Sequence, residues 1–445
     1  MRKYTGKIIL LVLLLVRVCG SVHPEIRTGE KKRTEIVYWT GWTGKEMGVL
    51  QGIIDRFNAS QGRIHCRMVT LAGVYQKVPI AFAGGDVPDL MSTIWAEELA
   101  GYAMRGVLEP LDSYMEKSER EFAQEYLPGL WRMFQYEGKT YGLAMTTNGT
   151  LYYYNKDIFD EVGWGAERAP KTLEEFEEIC RRCVKTDEKG NLVRYGTAPE
   201  TLELWAYIFG GGWYDPLEHK VTANRQENVR ALSWMKSQAE KYDVKKLLRF
   251  RKSFGVVIAS ANCPFYIGKA AIYSSGEYFT HHLNRYAPQI KYGWFPYPHP
   301  PGGRANCCLV GGSVFAIPSG AKHKEEAWEL LNFLTQPESI KEFCLGLHNM
   351  PPLLAVAKDP AFTRDPVYRD LAEMMSGENV FGPPNMPIWM RYLEEIRRAE
   401  EYVIYGDRDP RKALDDVQAR VEREFKRIMK QKGWRMQEEQ TVKFN

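Results

Sequence analysis

Several signatures are missing from this chain, and each absence narrows what it can do. There is no Gly-x-Ser-x-Gly elbow, no His-Glu-x-x-His helix and no phosphate-binding loop. Acids are plentiful, yet none sits in a recognisable catalytic motif, so the chain is expected not to be an enzyme. The rival is a secreted carbohydrate-active enzyme, which needs two carboxylates facing each other across a cleft. The eight histidines lack ligand spacing, so neither a metal nor any other cofactor is expected. A net charge of +4 over 445 residues leaves no concentrated basic stripe, so nucleic acid is not an expected partner. No repeat or low-complexity tract interrupts the chain. No apolar run reaches the roughly 20 residues of a membrane span, because Arg17 cuts short the stretch Ile8 to Val16.

Cysteine is also scarce in useful pairings. Seven cysteines follow Cys19, an odd number that cannot all pair within one chain. Cys180-x-x-Cys183 has the look of a metal half-site. Phe176, Ile179, Cys180 and Cys183 nevertheless share one helix face, which predicts buried thiols. Cys307 and Cys308 are neighbours, where a disulfide is strained. No zinc site and no disulfide framework are predicted.

What is present begins with an address. Arg2, Lys3 and Lys7 precede the short apolar run, the pattern of an export signal over residues 1–20. Cys19 is a candidate for lipid modification, and cleavage near Gly20-Ser21 is the alternative. Residues 21–33 read as a tether. The mature protein is expected to be periplasmic or anchored on the extracytoplasmic face. Composition is that of a globular protein, 44% hydrophobic and 26% charged. The 12 Trp and 25 Tyr exceed what a core needs, and flat rings suit the C–H face of a sugar.

Strand and helix periods then alternate. Ile36 to Thr40 is β-rich, and Leu50, Ile53, Ile54 and Phe57 recur at helical spacing. Ile64 to Thr70 is a second strand, Val78 to Ala83 a second helix, and Asp89 to Ile94 a third strand. Gly84-Gly85-Asp86 ends the second helix, and Pro88 forces the chain extended. This is the β-α-β-α-β opening of a parallel sheet, whose ligands bind beyond the strand ends. Thr172 with Glu175 marks a helix start. Tyr292 to Pro301 reads as an irregular edge, and Gly311 to Ile317 as one glycine-led strand.

Six stretches in order carry a resemblance. They are Ala81-x-x-Gly84-x-x-x-Pro88-Asp89; Leu151-Tyr-Tyr-Tyr-Asn-Lys-Asp157; Gly268-Lys-Ala-Ala-Ile272 with Gly276; Gly311-Gly312; Ala327-Trp328 with Phe333-Leu334; and Gly406 with Ala413-Leu414 and Gln418. Together they resemble the bacterial extracellular solute-binding proteins of carbohydrate ABC importers, the family of maltose-binding protein. The resemblance covers nearly the whole mature chain. It implies an α/β, two-lobed periplasmic-binding-protein fold of type II, each lobe a mainly parallel sheet flanked by helices, with the ligand cleft at the hinge. On that pattern the N-terminal lobe is 34–145 plus 276–312, and the C-terminal lobe is 146–275 plus 313–445. The implied role is a monomeric receptor that hands a sugar or oligosaccharide to ABC permease subunits in the membrane. A sugar phosphate or a polyamine on the same fold is the alternative.

Strand ends and family positions together nominate the ligand-binding residues. Trp42 and Thr43 follow the first strand, and Trp95 and Glu97 the third. Asn148 sits at the first crossing between lobes, Glu277 and Tyr278 at the second, and Gly311 and Gly312 at the third. Glu203 and Trp205 would face them from the other lobe, with Trp389 and Arg391. Tyr75 reads equally as groove or helix surface, and Trp205 equally as core. Tyr278 stands where the family often has tryptophan. The charge run Glu394 to Glu401 reads as a solvated helix face.

Overall fold

The computed structural model describes residues 33–71, 73–197, 201–241, 243–254, 258 and 260–431. The export signal, Cys19 and residues 21–32 of the tether lie outside the described residues, as does the side chain of Tyr75. Two sheets organise the chain.

The first sheet contains β1 (Thr34–Thr40), β2 (Ile64–Thr70), β3 (Leu90–Trp95) and β8 (Ser313–Ala316), in the order β8-β3-β1-β2. β1, β2 and β3 run parallel, and β8 runs antiparallel to β3. Ile36, Tyr38 and Thr40 are buried alternately along β1, as a period of two requires. α1 (Gly44–Ser60) buries Leu50, Ile53, Ile54 and Phe57. α2 (Val74–Gly84) stops at Gly85, whose φ of +71° a side chain would resist. α3 (Ala96–Met104) leaves directly from the end of β3.

The second sheet is built around β4 (Asn148–Asn155), which is antiparallel to β5 (Ile272–Gly276), β6 (Tyr292–Phe295) and β7 (Cys308–Gly311). Only β9 (Val380–Phe381) pairs parallel, beside β7. A mainly parallel second sheet was expected. The direction differs because β4 leaves the junction between the sheets while its three neighbours run back toward it. β6 lies in the segment that reads as an irregular edge; its prolines follow the strand rather than break it.

The expected division of the chain also changes. β6 and β7, assigned to the N-terminal lobe, pair with β4 in the second sheet. β8, assigned to the C-terminal lobe, pairs with β3 in the first. α7 (Lys324–Leu334) and α8 (Pro337–Leu347) return with it: Phe333 meets Phe57 of α1 at 5.3 Å and Phe343 meets Trp42 at 4.6 Å. The run Gly311 to Ile317 is therefore two strands in two sheets. Gly312 separates them at φ +147°, and a Cβ there would stand 3.1 Å from the Thr146 carbonyl oxygen.

α4 (Leu202–Ile208) and α5 (Gln226–Glu240) cover one side of the second sheet, and α6 (Phe279–Tyr286) and α9 (Pro366–Met375) lie against it too. α10 (Trp389–Ile404) and α11 (Pro410–Gln431) close the second core. The Thr172 hydroxyl accepts the Glu175 N–H at 3.2 Å, the predicted cap. All seven described cysteines are buried free thiols, Cys180 and Cys183 among the aromatic side chains of the second core.

Candidate functional site

The chain passes between the sheets three times: at 146–147, at Gly312, and between α8 and α9. The three passages lie side by side. Leu143 and Phe315 exchange backbone hydrogen bonds at 3.0 and 2.7 Å, and the Thr147 N–H donates to the Met350 carbonyl at 3.0 Å. The Thr147 hydroxyl donates to the Gly311 carbonyl at 3.1 Å.

Glu97 and Asn148 meet at this junction. Glu97 stands in the first turn of α3, directly after β3. A Cβ on Gly311 would lie 3.7 Å from Asn148 Oδ1 and 3.9 Å from Glu97 Oε1, so the bare glycine keeps the space between them open. The Gly311 N–H donates to Asn148 Oδ1 at 3.2 Å. Glu97 Oε2 is buried and has no hydrogen-bond partner among the described residues. Burial pushes its carboxyl above the usual range, and its own backbone N–H and the charge of Arg397 pull the other way.

Glu203 approaches from the second sheet. It lies in the first turn of α4, whose Leu202 N–H is held by the Glu400 carboxylate at 2.8 Å. Burial, then the negative charge of Glu97, push Glu203 up to about 7; Arg397 offsets part of this and Glu400 adds to it. The charges of Glu97 and Arg397 thus both reach Glu203, in opposite senses. Arg397 was not nominated from sequence.

Leu204 and Trp205, next to Glu203 in α4, line a cavity of about 570 Å³ whose wall comes entirely from the second sheet and the segments packed on it. Tyr152, Tyr273, Tyr297 and Trp205 supply rings to its wall, and Thr197, Thr201 and Ser274 supply hydroxyls. Tyr297 and Ser274 are hydrogen-bonded through their hydroxyls. Trp205 belongs to both readings: it lines the cavity, yet it is only 1% exposed and packs on Trp234 at 4.2 Å. Tyr278 is half-buried, with its ring against Gly276, where a Cβ would stand 2.5 Å from it. Trp95 is exposed at the end of β3, beside Gly312 and Ser313. Flat rings and hydroxyls line this cavity, while Glu97 and Asn148 gather at Gly311; rings and hydroxyl-binding groups of these kinds suit a polar solute with an apolar face.

Five nominated residues sit elsewhere. Glu277 is fully buried, and its two oxygens accept the N–H of Met350 at 3.0 Å and of Gly149 at 3.5 Å, so it ties the chain passages rather than a solute. Trp389 is buried in the second core against Tyr392, because the helix face it occupies is the one packed inward. Arg391 faces Glu395 at 3.7 Å on the outer side of α10. Six residues on, at 100° per residue, Arg397 leaves α10 in a different direction; it is exposed, and its charge reaches Glu97 and Glu203. Trp42 places its ring on Phe343 and Phe315, at 4.6 and 6.0 Å, against the first core. Thr43 is exposed at the start of α1. The charge run is not simply solvated either: Glu395 is buried and paired with Arg398 and Arg420, and Glu400 caps α4.

Residues 41–341, more than half of the chain, match the model of the bacterial extracellular solute-binding protein family. The chain belongs to this family. Its fold is accordingly the two-lobed type II form, with the cleft at the hinge. Among family members, the maltotriose-binding protein of Pyrococcus abyssi (strain GE5 / Orsay) is 22% identical over 89% of this chain and 82% of its own length. The galactooligosaccharide-binding protein of Bacillus subtilis (strain 168) is 23% identical over 91% of this chain and 93% of its own length. Solved structures agree in fold. CpMnBP1 with mannobiose bound superposes with a TM-score of 0.76 at 23% identity, over 87% of this chain and 99% of that one. Lmo0181 from Listeria monocytogenes, in complex with cycloalternan, gives 0.70 at 21% identity over 91% and 100%. No helix among the described residues is long and apolar enough to cross a membrane.

Proposed function

We propose that this protein is the extracytoplasmic receptor of an ABC importer, and that it closes two lobes on a sugar or oligosaccharide and delivers it to permease subunits. It works as a monomer, binds without chemical conversion, and is exported to the periplasm or held by a lipid on Cys19. One lobe is 34–145 with 313–347, and the other is 148–311 with 354–431. The observation that carries the reading is the gathering of Glu97, Asn148 and Gly311 at the junction of the two sheets, with Glu203 in the first turn of α4 next to a ring-lined cavity of the other lobe. Carboxylates take pairs of sugar hydroxyls, rings cover the apolar sugar face, and closure removes the water that competes for both. The named ligands of the relatives, maltotriose and galactooligosaccharide, support the same class. Trp95, Tyr278, Trp205 and the neighbourhood of Tyr75 complete the proposed contacts.

A thermal-shift screen across neutral oligosaccharides, sugar phosphates and polyamines tests this, since a ligand bound only by the folded state raises Tm by mass action. A shift with neutral oligosaccharides alone is the expected result. A shift confined to sugar phosphates or polyamines would replace the solute class, and turnover of a glycan by the purified protein would end the receptor reading.

A further inference from the structure

A second cavity, of about 680 Å³, shares Tyr297 with the cavity lined by Trp205. Its size falls in the range of about 300 to 1,000 Å³ typical of small-ligand sites. None of the residues nominated for the cleft lines it.

Trp294 is the centre of this second cavity. It lies on β6 opposite Tyr153 of β4, so its side chain leaves the face of the sheet opposite to that of Phe295, which is buried in the second core. The indole is half-buried. Its Nε1–H donates to Asp370 Oδ2 at 2.9 Å, and the other oxygen of Asp370 accepts the Arg369 Nε–H at 3.2 Å. One edge of the ring is thereby pinned to α9, and the orientation of its plane is fixed. Pro296 and Pro298 extend the wall with no side-chain freedom to lose. His299 and Asn306 stand at the rim, and among the described residues no hydrogen bond reaches the Asn306 amide.

Charge narrows the ligand. Glu167 and Asp370 are balanced on the wall by Arg168 and Lys171. Glu167 is already paired with Lys156 at 2.6 Å, and Arg168 with Glu175 at 2.7 Å. The wall is neutral in sum, two acids against two bases, and among the described residues only the Lys171 ammonium has no ion pair; it offers neither the cluster of cations that suits a phosphate nor a free anion for an amine. It offers a fixed flat ring, amide and imidazole groups, and an oriented carboxylate.

We propose that this cavity is a second binding site for a neutral saccharide, with a pyranose ring stacked on Trp294 and hydroxyls on Asn306 and His299. The site is separate from the cleft and does not depend on which solute the cleft takes. It would hold glycan at the protein surface weakly, alongside the closing cleft.

The test uses the full mature chain and a panel of neutral disaccharides: maltose, mannobiose, cellobiose and lactose. Calorimetric titrations are run on the wild type and on a variant whose cleft is disabled by Glu97→Ala with Tyr278→Ala. The expected result is weak binding of at least one disaccharide that survives in the cleft-disabled variant. Adding Trp294→Ala should weaken it at least tenfold. Asn306→Gly, which keeps the positive φ of 51°, should weaken it with the fold undisturbed. Retained binding that neither Trp294→Ala nor Asn306→Gly alters would overturn the proposal, as would no binding at all to the cleft-disabled variant. In that last case binding to the wild type would leave the cleft reading standing. Loss from both proteins would remove the saccharide reading of the cleft as well.

Discussion

Glu203 and Glu277 are both pushed up to about 7, and burial is the largest cause for each. Their surroundings differ completely. Glu277 is enclosed, and its oxygens are taken by two backbone N–H groups from two passages of the chain. Glu203 has acidic neighbours, Glu97 and Glu400, and one mobile counter-charge, Arg397. A perturbed carboxyl alone therefore says little about function. What separates the structural acid from the one proposed to face solute is whether its hydrogen-bonding capacity is already spent.

The contrast can be broken or sharpened by substitution, beginning with the largest effect. Trp205→Ala should cost about 3 to 5 kcal/mol, the range for a large ring removed from a core, because Trp234, Phe209, Phe176 and Tyr297 all pack on it. Denaturant unfolding would measure it, and a cost under about 1 kcal/mol would make Trp205 a ligand platform instead. Glu277→Ala leaves two buried N–H groups unpaired, at about 1 to 3 kcal/mol each, with Tm as the readout.

The same two acids should differ in their response to pH. The Glu277 carboxyl rises from 4.5 to about 7 on folding. Between those values the folded chain holds a proton that the unfolded chain has released, so this contribution to stability is full below about 4.5 and is lost as pH climbs through 7. Glu277→Gln should flatten that slope. Glu203 should show its titration in affinity, because closing the lobes brings it and Glu97 into a drier space. Solute binding should take up a proton and weaken above pH 7, and Glu203→Gln should remove the dependence. Calorimetry in buffers of different ionisation enthalpy would detect the proton.

Smaller effects follow. Tyr278→Ala should weaken solute binding about tenfold, the worth of one stacking contact, with Tm little changed. Arg391→Ala should change neither affinity nor stability by more than about 0.5 kcal/mol, since its only ion pair among the described residues is long and half-exposed.

Local pattern made part of this legible. The spacing of Leu50, Ile53, Ile54 and Phe57 fixes the buried face of α1, and Thr172 caps the helix it was expected to cap. Glu97, Asn148 and Gly311 follow from strand ends, and the structure brings those three together. The rest depends on contacts between distant segments. Nothing local distinguishes Arg391, which pairs with Glu395, from Arg397, whose charge reaches Glu97 and Glu203; both are exposed on α10. The change of sheet at Gly312 is likewise invisible, because apolar residues on both sides of it read as one continuous strand. Trp42 follows the first strand as a ligand ring would, and the arrival of Phe343 from 301 positions later leaves it half-buried against the first core.

Glu277 holds Gly149 with one oxygen and Met350 with the other, and those residues sit in separate strands of the connection between the halves. A single side chain thus serves as an axle pin through two of three parallel straps. Bending can occur around that point, but sliding one half past the other would tear a buried carboxyl from its donors. The molecule is therefore built to swing open and shut along one arc, which would present the same mouth to the permease in every cycle.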